Sequence, residues 1–313
     1  MRPTLFLLCA LLAFAPAVPA QEEDYSKVQI KSTALAPNLY LLEGVGGNIA
    51  AAAGPEGVLV VDDEFAGVAD KIRAALKGLG ADQPVRFVVN THYHSDHTDG
   101  NLAFAQAGAV VIAHENLRAR LERGGVAGNG GSISKEFKPA PAGALPAVTY
   151  ANELTVHLNG VQVRVHHYAR AHTDGDSVVF FPGANVVHMG DIYVRYGFPF
   201  IDVLGGGNVR GMIAACADVL RTMPPGTRVI PGHGAVASLE DLREYLKMLE
   251  DTTAVVQQAL KAGQTLEQMK KDKILGAWSA RYSPAQGFVD TDAFTDSLYN
   301  SLNPPPRAVG AAH

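Results

Sequence analysis

Residues 91 to 101 read THYHSDHTDGN, and within them His92, His94, Asp96 and His97 put four proton- or metal-binding side chains into six consecutive positions. They close the apolar run Val85 to Val89. Polar groups crowded at the end of a buried strand cost free energy unless something binds them. The same pattern recurs three times: His172 in ARAHTDGD follows an apolar stretch from Val161 to Tyr168, Asp191 in HMGD follows Asn185 to Met189, and His233 in PGHG follows Arg228 to Ile230.

Seven nitrogen and oxygen donors thus stand at four strand ends, where the loops of one sheet edge converge. In a tight loop, residues two apart face the same way, so His92 and His94 share one ion while Asp96 and His97 turn toward a second. His172 completes a three-histidine site, His233 completes the other, and the two carboxylate oxygens of Asp191 bridge them. Two ions roughly 3.5–4 Å apart suit metal-assisted hydrolysis, in which one holds the nucleophile and the other steadies the leaving group. Imidazole and carboxylate without thiolate favour zinc and permit iron or manganese. Gly100, Gly190, Gly232 and Gly234 lie beside these donors, where the lack of a Cβ allows sharp turns and close approach.

The elements that must position these groups are legible as alternating patterns. LYLLE, NIAAAA and GVLVVD between Leu39 and Asp62 read as strands joined by glycine-rich turns. A helix is predicted from Val68 to Leu79, a strand from Val85 to Asn90, helices near 101–107 and 114–123, and a strand from Val110 to Ala113. Residues Gly124 to Pro146, rich in Gly, Pro and small side chains, are expected to form a long mobile loop that serves as a lid or substrate wall. Strand patterns then resume (ELTVHL, VQVRVHHY, SVVFF, NVVHM), followed by helices at Val209 to Met223 and Leu239 to Ala262, the latter opened by Ser238 with Asp241 three residues on. Two successive halves of strands and helices imply an α/β protein of four layers, with helices outside and two sheets inside.

Composition narrows the class. The first twenty residues carry Arg2, an apolar stretch from Leu5 to Phe14 and Ala20 before Gln21, the pattern of an export signal cut after Ala20. The mature chain would then be periplasmic or secreted, with no membrane attachment, and would retain only Cys216, so no internal disulfide forms. The expected organisation is a signal peptide at 1–20, one hydrolase domain over 21–303 and a disordered tail at 304–313, with the oligomeric state left open. A net charge of −5 and the absence of lysine or arginine runs argue against nucleic acid as partner and leave a small-molecule substrate.

In its order HxHxDH, H, D, GH, the chain resembles the metallo-β-lactamase superfamily over about Leu39 to Leu246. The resemblance implies an αβ/βα sandwich with a dinuclear zinc site at one edge, His92, His94 and His172 on the first ion, and Asp96, His97 and His233 on the second. It also implies hydrolysis, with Asp96 holding the attacking water and shuttling its proton. Asp191 stands where many antibiotic-degrading members carry cysteine or serine, and where thioesterase, lactonase and nuclease relatives carry aspartate. Gly207-Asn208 is similar to the Gly-Asn of a substrate loop in zinc β-lactamases, and Arg195 lies where a basic side chain holds the substrate carboxylate. The expected function is therefore opening of a β-lactam ring, with Asp96, Asp191 and Asn208 as the catalytic side chains. The alternatives are a lactonase or thioesterase of the same fold, and a non-catalytic periplasmic metal-binding protein.

Several other residues have two readings. Asp62 or Asp63 is expected either to orient a ligand histidine or to close a turn. Tyr193 and Tyr196 are read as packing or as donors to a developing oxyanion. His166 and His167 are read as sheet histidines, His114, His157 and His313 as structural or surface groups, and Cys216 as core.

Overall fold

A computed structural model describes residues 24–79, 83–285 and 287–303. The export signal expected at 1–20 and the disordered tail expected at 304–313, with His313, lie outside the described residues. Two sheets face each other. The seven-stranded one runs Lys31–Ala36, Leu39–Glu43, Ile49–Gly54, Gly57–Val61, Val85–Val89, Val110–His114 and Val148–Tyr150, each strand hydrogen-bonded to the next. Its first four strands are antiparallel and the last three continue parallel to Gly57–Val61. The six-stranded sheet runs Glu153–Leu158, Val161–His167, Ser177–Phe181, Val186–His188, Arg228–Ile230 and Ala237–Ser238.

Strand residues alternate between two buried environments, because each sheet is covered on both faces. Leu41, Leu59, Val61 and Val89 of the first sheet meet Val163, Val165, Val179, Phe181 and Ile230 of the second. The outer face of the first sheet (Ile49, Val58, Val60, Val88) packs on helices Ala69–Gly78 and Asn101–Gln106 through Ile72, Leu76 and Phe104. The outer face of the second (Val178, Phe180, Val187, Val229) packs on helices Val209–Thr222 and Leu239–Lys261 through Met212, Cys216, Leu242 and Leu249. This is the expected αβ/βα four-layer sandwich, and Cys216 is core. The long second helix opens with a full capping box: Ser238 Oγ accepts from Asp241 N, and Asp241 Oδ2 accepts from Ser238 N.

Segment 124–146 departs from expectation. Gly125–Gly128 and Ser134–Phe137 pair antiparallel as a β-hairpin, followed by a 3-10 turn at Ala142–Ala144. Asn129 holds its tip: Oδ1 accepts from Gly131 N and Ile133 N, while Nδ2 donates to Ala293 O at 2.9 Å. Glycine and small residues here supply turn geometry and close pairing, which composition alone does not distinguish from an irregular loop.

Candidate metal centre

Parallel strands end together at one sheet edge, and loops leaving their carboxyl ends share a crevice. The Val85–Val89 strand sits between Gly57–Val61 and Val110–His114, so the turn after it opens at the centre of that edge. Asp62, at the end of the neighbouring strand, fixes the turn by accepting from Thr91 N and Thr91 Oγ1, both at 2.7 Å. Asn90 Nδ2 closes it by donating to His97 O. Across the gap, the loops after Val161–His167, Val186–His188 and Arg228–Ile230 bring His172, Asp191 and His233 to the same place.

The donors fall into overlapping sets whose ligand atoms all lie within 4.8 Å of one another: His92, His94 and His172; His92, His97 and Asp191; Asp96, His97 and His233. In the first set His94 Nδ1 is 3.0 Å from His172 Nε2. In the last, His233 Nε2 is 3.1 Å from Asp96 Oδ2 and 3.3 Å from His97 Nε2. Asp191 stands between them, with Oδ1 at 3.2 Å from His97 Nε2 and 3.5 Å from His233 Nε2, and Oδ2 at 3.9 Å from His172 Nε2. The glycines of the sequence reading serve this crowding: a Cβ on Gly232 would lie 2.0 Å from Asp191 Oδ1, and Gly190 turns with φ 51°.

The outward ring nitrogens determine which inward ones carry a lone pair. His97 Nδ1 donates to Asp62 Oδ2 at 2.8 Å, His172 Nδ1 to Phe200 O at 2.8 Å, and His94 Nε2 to Asp202 Oδ2 at 3.0 Å. His92 Nδ1 donates to Thr91 Oγ1, whose own proton goes to Asp62. Each imidazole is thereby held in the tautomer whose inner nitrogen can ligate. Of the two adjacent aspartates, Asp62 is the one that orients a histidine; Asp63 is buried next to Gly100.

Asp202 was missed by the sequence reading. It also accepts from Tyr93 Oη through Oδ2, and from Gly128 N and Gly205 N through Oδ1. Its one sequence signal is a carboxylate closing the apolar run Phe198-Pro199-Phe200-Ile201, the same signal that marks Asp62.

Two buried atoms aimed into the centre have no hydrogen-bond partner, His92 Nε2 and Asp191 Oδ1. The electrostatics agree with a cation there. Burial and the neighbouring histidines, His97 first, keep His92 well below the ordinary histidine range, and burial, with His94, pushes His172 down to about 4, so both are neutral ligands. Burial opposes charge on His97 and His233 too, yet Asp191 and Asp96 overcome it and raise both, His233 to about 9. The carboxylate side of the centre therefore calls for positive charge. These nitrogen and oxygen donors fit two divalent cations of the zinc type.

The centre forms the floor of a cavity of about 1320 Å³ onto which His94, Asp96, Asp191 and His233 open. Its walls are largely apolar, with Leu102, Leu121, Ile133, Phe137, Phe200 and Phe288. The hairpin forms one side, so 124–146 walls the cavity, as paired strands where an irregular loop was expected. Tyr196 lines the cavity, whereas Tyr193 packs against Tyr245 in the core.

Two expected substrate contacts are turned elsewhere. Asn208 is the N-cap of helix Val209–Thr222: Oδ1 accepts from Arg210 N, Nδ2 donates to Ser301 O at 2.7 Å, and the side chain does not line the cavity. Its β-region backbone and helix-start position make the cap the better use of a short carboxamide. Arg195 donates to Ala235 O and Val236 O and pairs with Asp241 at 3.4 Å, so its guanidinium also leaves the cavity. Replacing Asn208 with alanine is accordingly expected to lower unfolding free energy by about 1–2 kcal/mol in denaturant titrations and to leave kcat/KM nearly unchanged; a large loss of turnover in a stable N208A protein would restore the substrate role.

His114, His157, His166 and His167 lie outside the ligand sets. His114 caps helix Glu115–Arg123 through Nδ1, and His167 stacks on it with ring centroids 3.5 Å apart while donating to Asp176 O. His166 lies on strand Val161–His167 and His157 on Glu153–Leu158.

A four-layer sandwich with these paired ligand sets defines a metal-binding protein of the αβ/βα class. The chain belongs to the metallo-beta-lactamase superfamily, whose model matches residues 43–257. It is 31% identical over 174 residues to a hydroxyacylglutathione hydrolase of a Polaromonas species, covering 53% of this chain and 54% of that protein. It is 25% identical over 218 residues to the 2,4-dinitroanisole O-demethylase subunit alpha of a Nocardioides species, covering 67% of this chain and 59% of that protein. A linear primary-alkylsulfatase of a Pseudomonas species is 26% identical, with 64% and 44% covered. The chain thus spans about half the length of the curated relatives it matches. Among solved structures, the DIM-1 metallo-beta-lactamase superposes with a TM-score of 0.58 at 18% identity, covering 72% of this chain and 100% of that one. A metallo-beta-lactamase from Pontibacter korlensis gives 0.57, also at 18%, with 71% and 99% covered. At such identity these two speak for the fold alone.

Proposed function

We propose that this hydrolase cleaves thioesters, with lactones as the nearest related substrates. The observation that carries the reading is Asp191, whose two oxygens address both ligand sets at once. Aspartate at this position is the feature by which the chain resembles thioesterase and lactonase members of the superfamily, and the hydroxyacylglutathione hydrolase relative points the same way. A β-lactam reading loses its two specific supports, since Asn208 and Arg195 are committed away from the cavity.

Two divalent ions, when bound, supply a water of lowered pKa and a polarised carbonyl. The chain's own groups do the rest. Asp96 is a cavity-facing carboxylate which, although burial opposes its charge, His97 and His233 hold well below the usual carboxylate range, so it is ionised and placed to accept and pass on a proton. Tyr196 accepts from Phe200 N at 3.5 Å, which leaves its hydroxyl proton free for an oxyanion. Burial, then Asp191, keeps that phenol well above its ordinary pKa and hence protonated. Phe200, itself buried, walls the floor against water.

Steady-state assays of the zinc-loaded protein on acyl thioesters, lactones, penicillins and carbapenems test the reading. Thioester kcat/KM is expected to exceed every β-lactam value; rapid opening of penicillins or carbapenems with thioesters and lactones untouched would overturn it.

A further inference from the structure

The hairpin presents an unusual face to the cavity. Its register pairs Ala127 with Lys135 and Gly125 with Phe137, while Val126 pairs with Glu136. Alternation along a strand then sends Ala127, Lys135 and Phe137 to one face and Val126 and Glu136 to the other. The first three line the cavity and the last two do not. Phe137 confirms the direction by packing its ring 5.0 Å from that of Tyr93. A cation therefore sits on the inward face of an otherwise apolar flap, and Lys138, the next residue after the strand, lines the cavity as well.

Neither ammonium has a hydrogen bond or ion pair with any of the described residues. Lys135 and Lys138 are both exposed, and they stand at the rim of the cavity, Lys135 on the hairpin face opposite Glu136. The charges on the cavity wall do not cancel. Asp96 and Asp191 belong to the metal centre, which leaves Asp99 alone facing Lys135 and Lys138. The mouth of the cavity is thus cationic, its walls are apolar and its floor holds the reactive centre.

We propose that Lys135 and Lys138 are specificity-determining residues that receive an anionic group carried by an otherwise apolar substrate, so that the substrate class is an anionic amphiphile. The apolar body lies along Leu102, Leu121, Phe137 and Phe288 while the anion meets the two ammonium groups on the hairpin. This rests on the acyl-hydrolase reading for what happens to the substrate, but not for what is bound.

The test uses a pair of uncleavable probes, S-octyl mercaptopropionate and its neutral amide, titrated calorimetrically into the zinc-loaded full chain, wild type and K135E/K138E. The anionic probe is expected to bind wild type about tenfold more tightly than the amide. That preference is expected to fall to parity or reverse in K135E/K138E and to shrink with added salt. A K135Q/K138Q variant, expected to lie between, guards against misfolding by charge reversal. Equal affinity of the two probes for wild type, or a preference that survives in both variants, overturns the proposal. If the preference is present and lysine-dependent while no thioester is hydrolysed, the acyl-hydrolase reading falls and the binding assignment stands.

Discussion

Asp191→Asn is expected to cost about a thousandfold or more in kcat/KM and to lower the bound metal from two ions toward one. The substitution keeps the shape of the side chain and removes its charge and one of two acceptor oxygens. Oδ1 is the atom that approaches both His97 Nε2 and His233 Nε2, and Oδ2 the one directed at His172. An asparagine can present an oxygen to one ligand set only, and offers an N–H to the other. The loss of the charge matters as much. The buried carboxylate side is held together by Asp191, Asp96 and Asp62 facing His97 and His233, and it attracts a cation because two of those carboxylates remain ionised against burial. Metal-centred charge stabilisation is worth several kcal/mol, and about 1.4 kcal/mol corresponds to each tenfold in rate. Elemental analysis beside turnover checks both halves of the expectation. Full activity with two ions retained in D191N would remove the bridging role, and with it the observation on which the proposed chemistry rests.

How much of this was legible in the sequence follows from which interactions are local. The ligand set was readable because strand ends and donor residues recur together: an apolar run followed by histidine or aspartate needs only the period of a strand to place the donor at a sheet edge. The capping box at Ser238 and Asp241 was readable for the same reason, since both hydrogen bonds close within four residues. Asn208 shows the opposite case. Gly207-Asn208 has two uses, a substrate loop or a helix start, and the deciding contact is Ser301 O, 93 residues away. Arg195 was misassigned likewise, because its partners Ala235, Val236 and Asp241 arrive from a distant turn. The hairpin at 125–137 escaped because its short strands carry glycine and charge, where the usual strand signal is β-branched and aromatic.

Asp202→Asn is the second large effect, expected as a 10–100-fold loss of zinc affinity with a smaller loss of stability than Asp202→Ala. Asp202 is fully buried, and its two oxygens face different donors. Oδ1 accepts from the amides of Gly128 and Gly205, each at 2.7 Å, and Oδ2 accepts from His94 Nε2 and Tyr93 Oη. An asparagine must keep its oxygen at the Oδ1 position, since a carboxamide NH₂ there would confront two backbone N–H groups. Its NH₂ then faces His94 Nε2, and a donor facing a donor is unfavourable, so His94 relieves the conflict by shifting its proton to Nδ1. That nitrogen is the one turned toward His172 Nε2 at 3.0 Å, so the shift removes a lone pair from the first ligand set while leaving the hairpin anchored at Gly128. Alanine, by contrast, strands both buried amides, at a cost of about 1–3 kcal/mol each, and loosens the hairpin as well. Competition with a chromophoric chelator measures affinity, and thermal unfolding of the zinc-free protein measures stability. Unaltered zinc affinity in D202N would mean that the carboxylate holds the hairpin and nothing more.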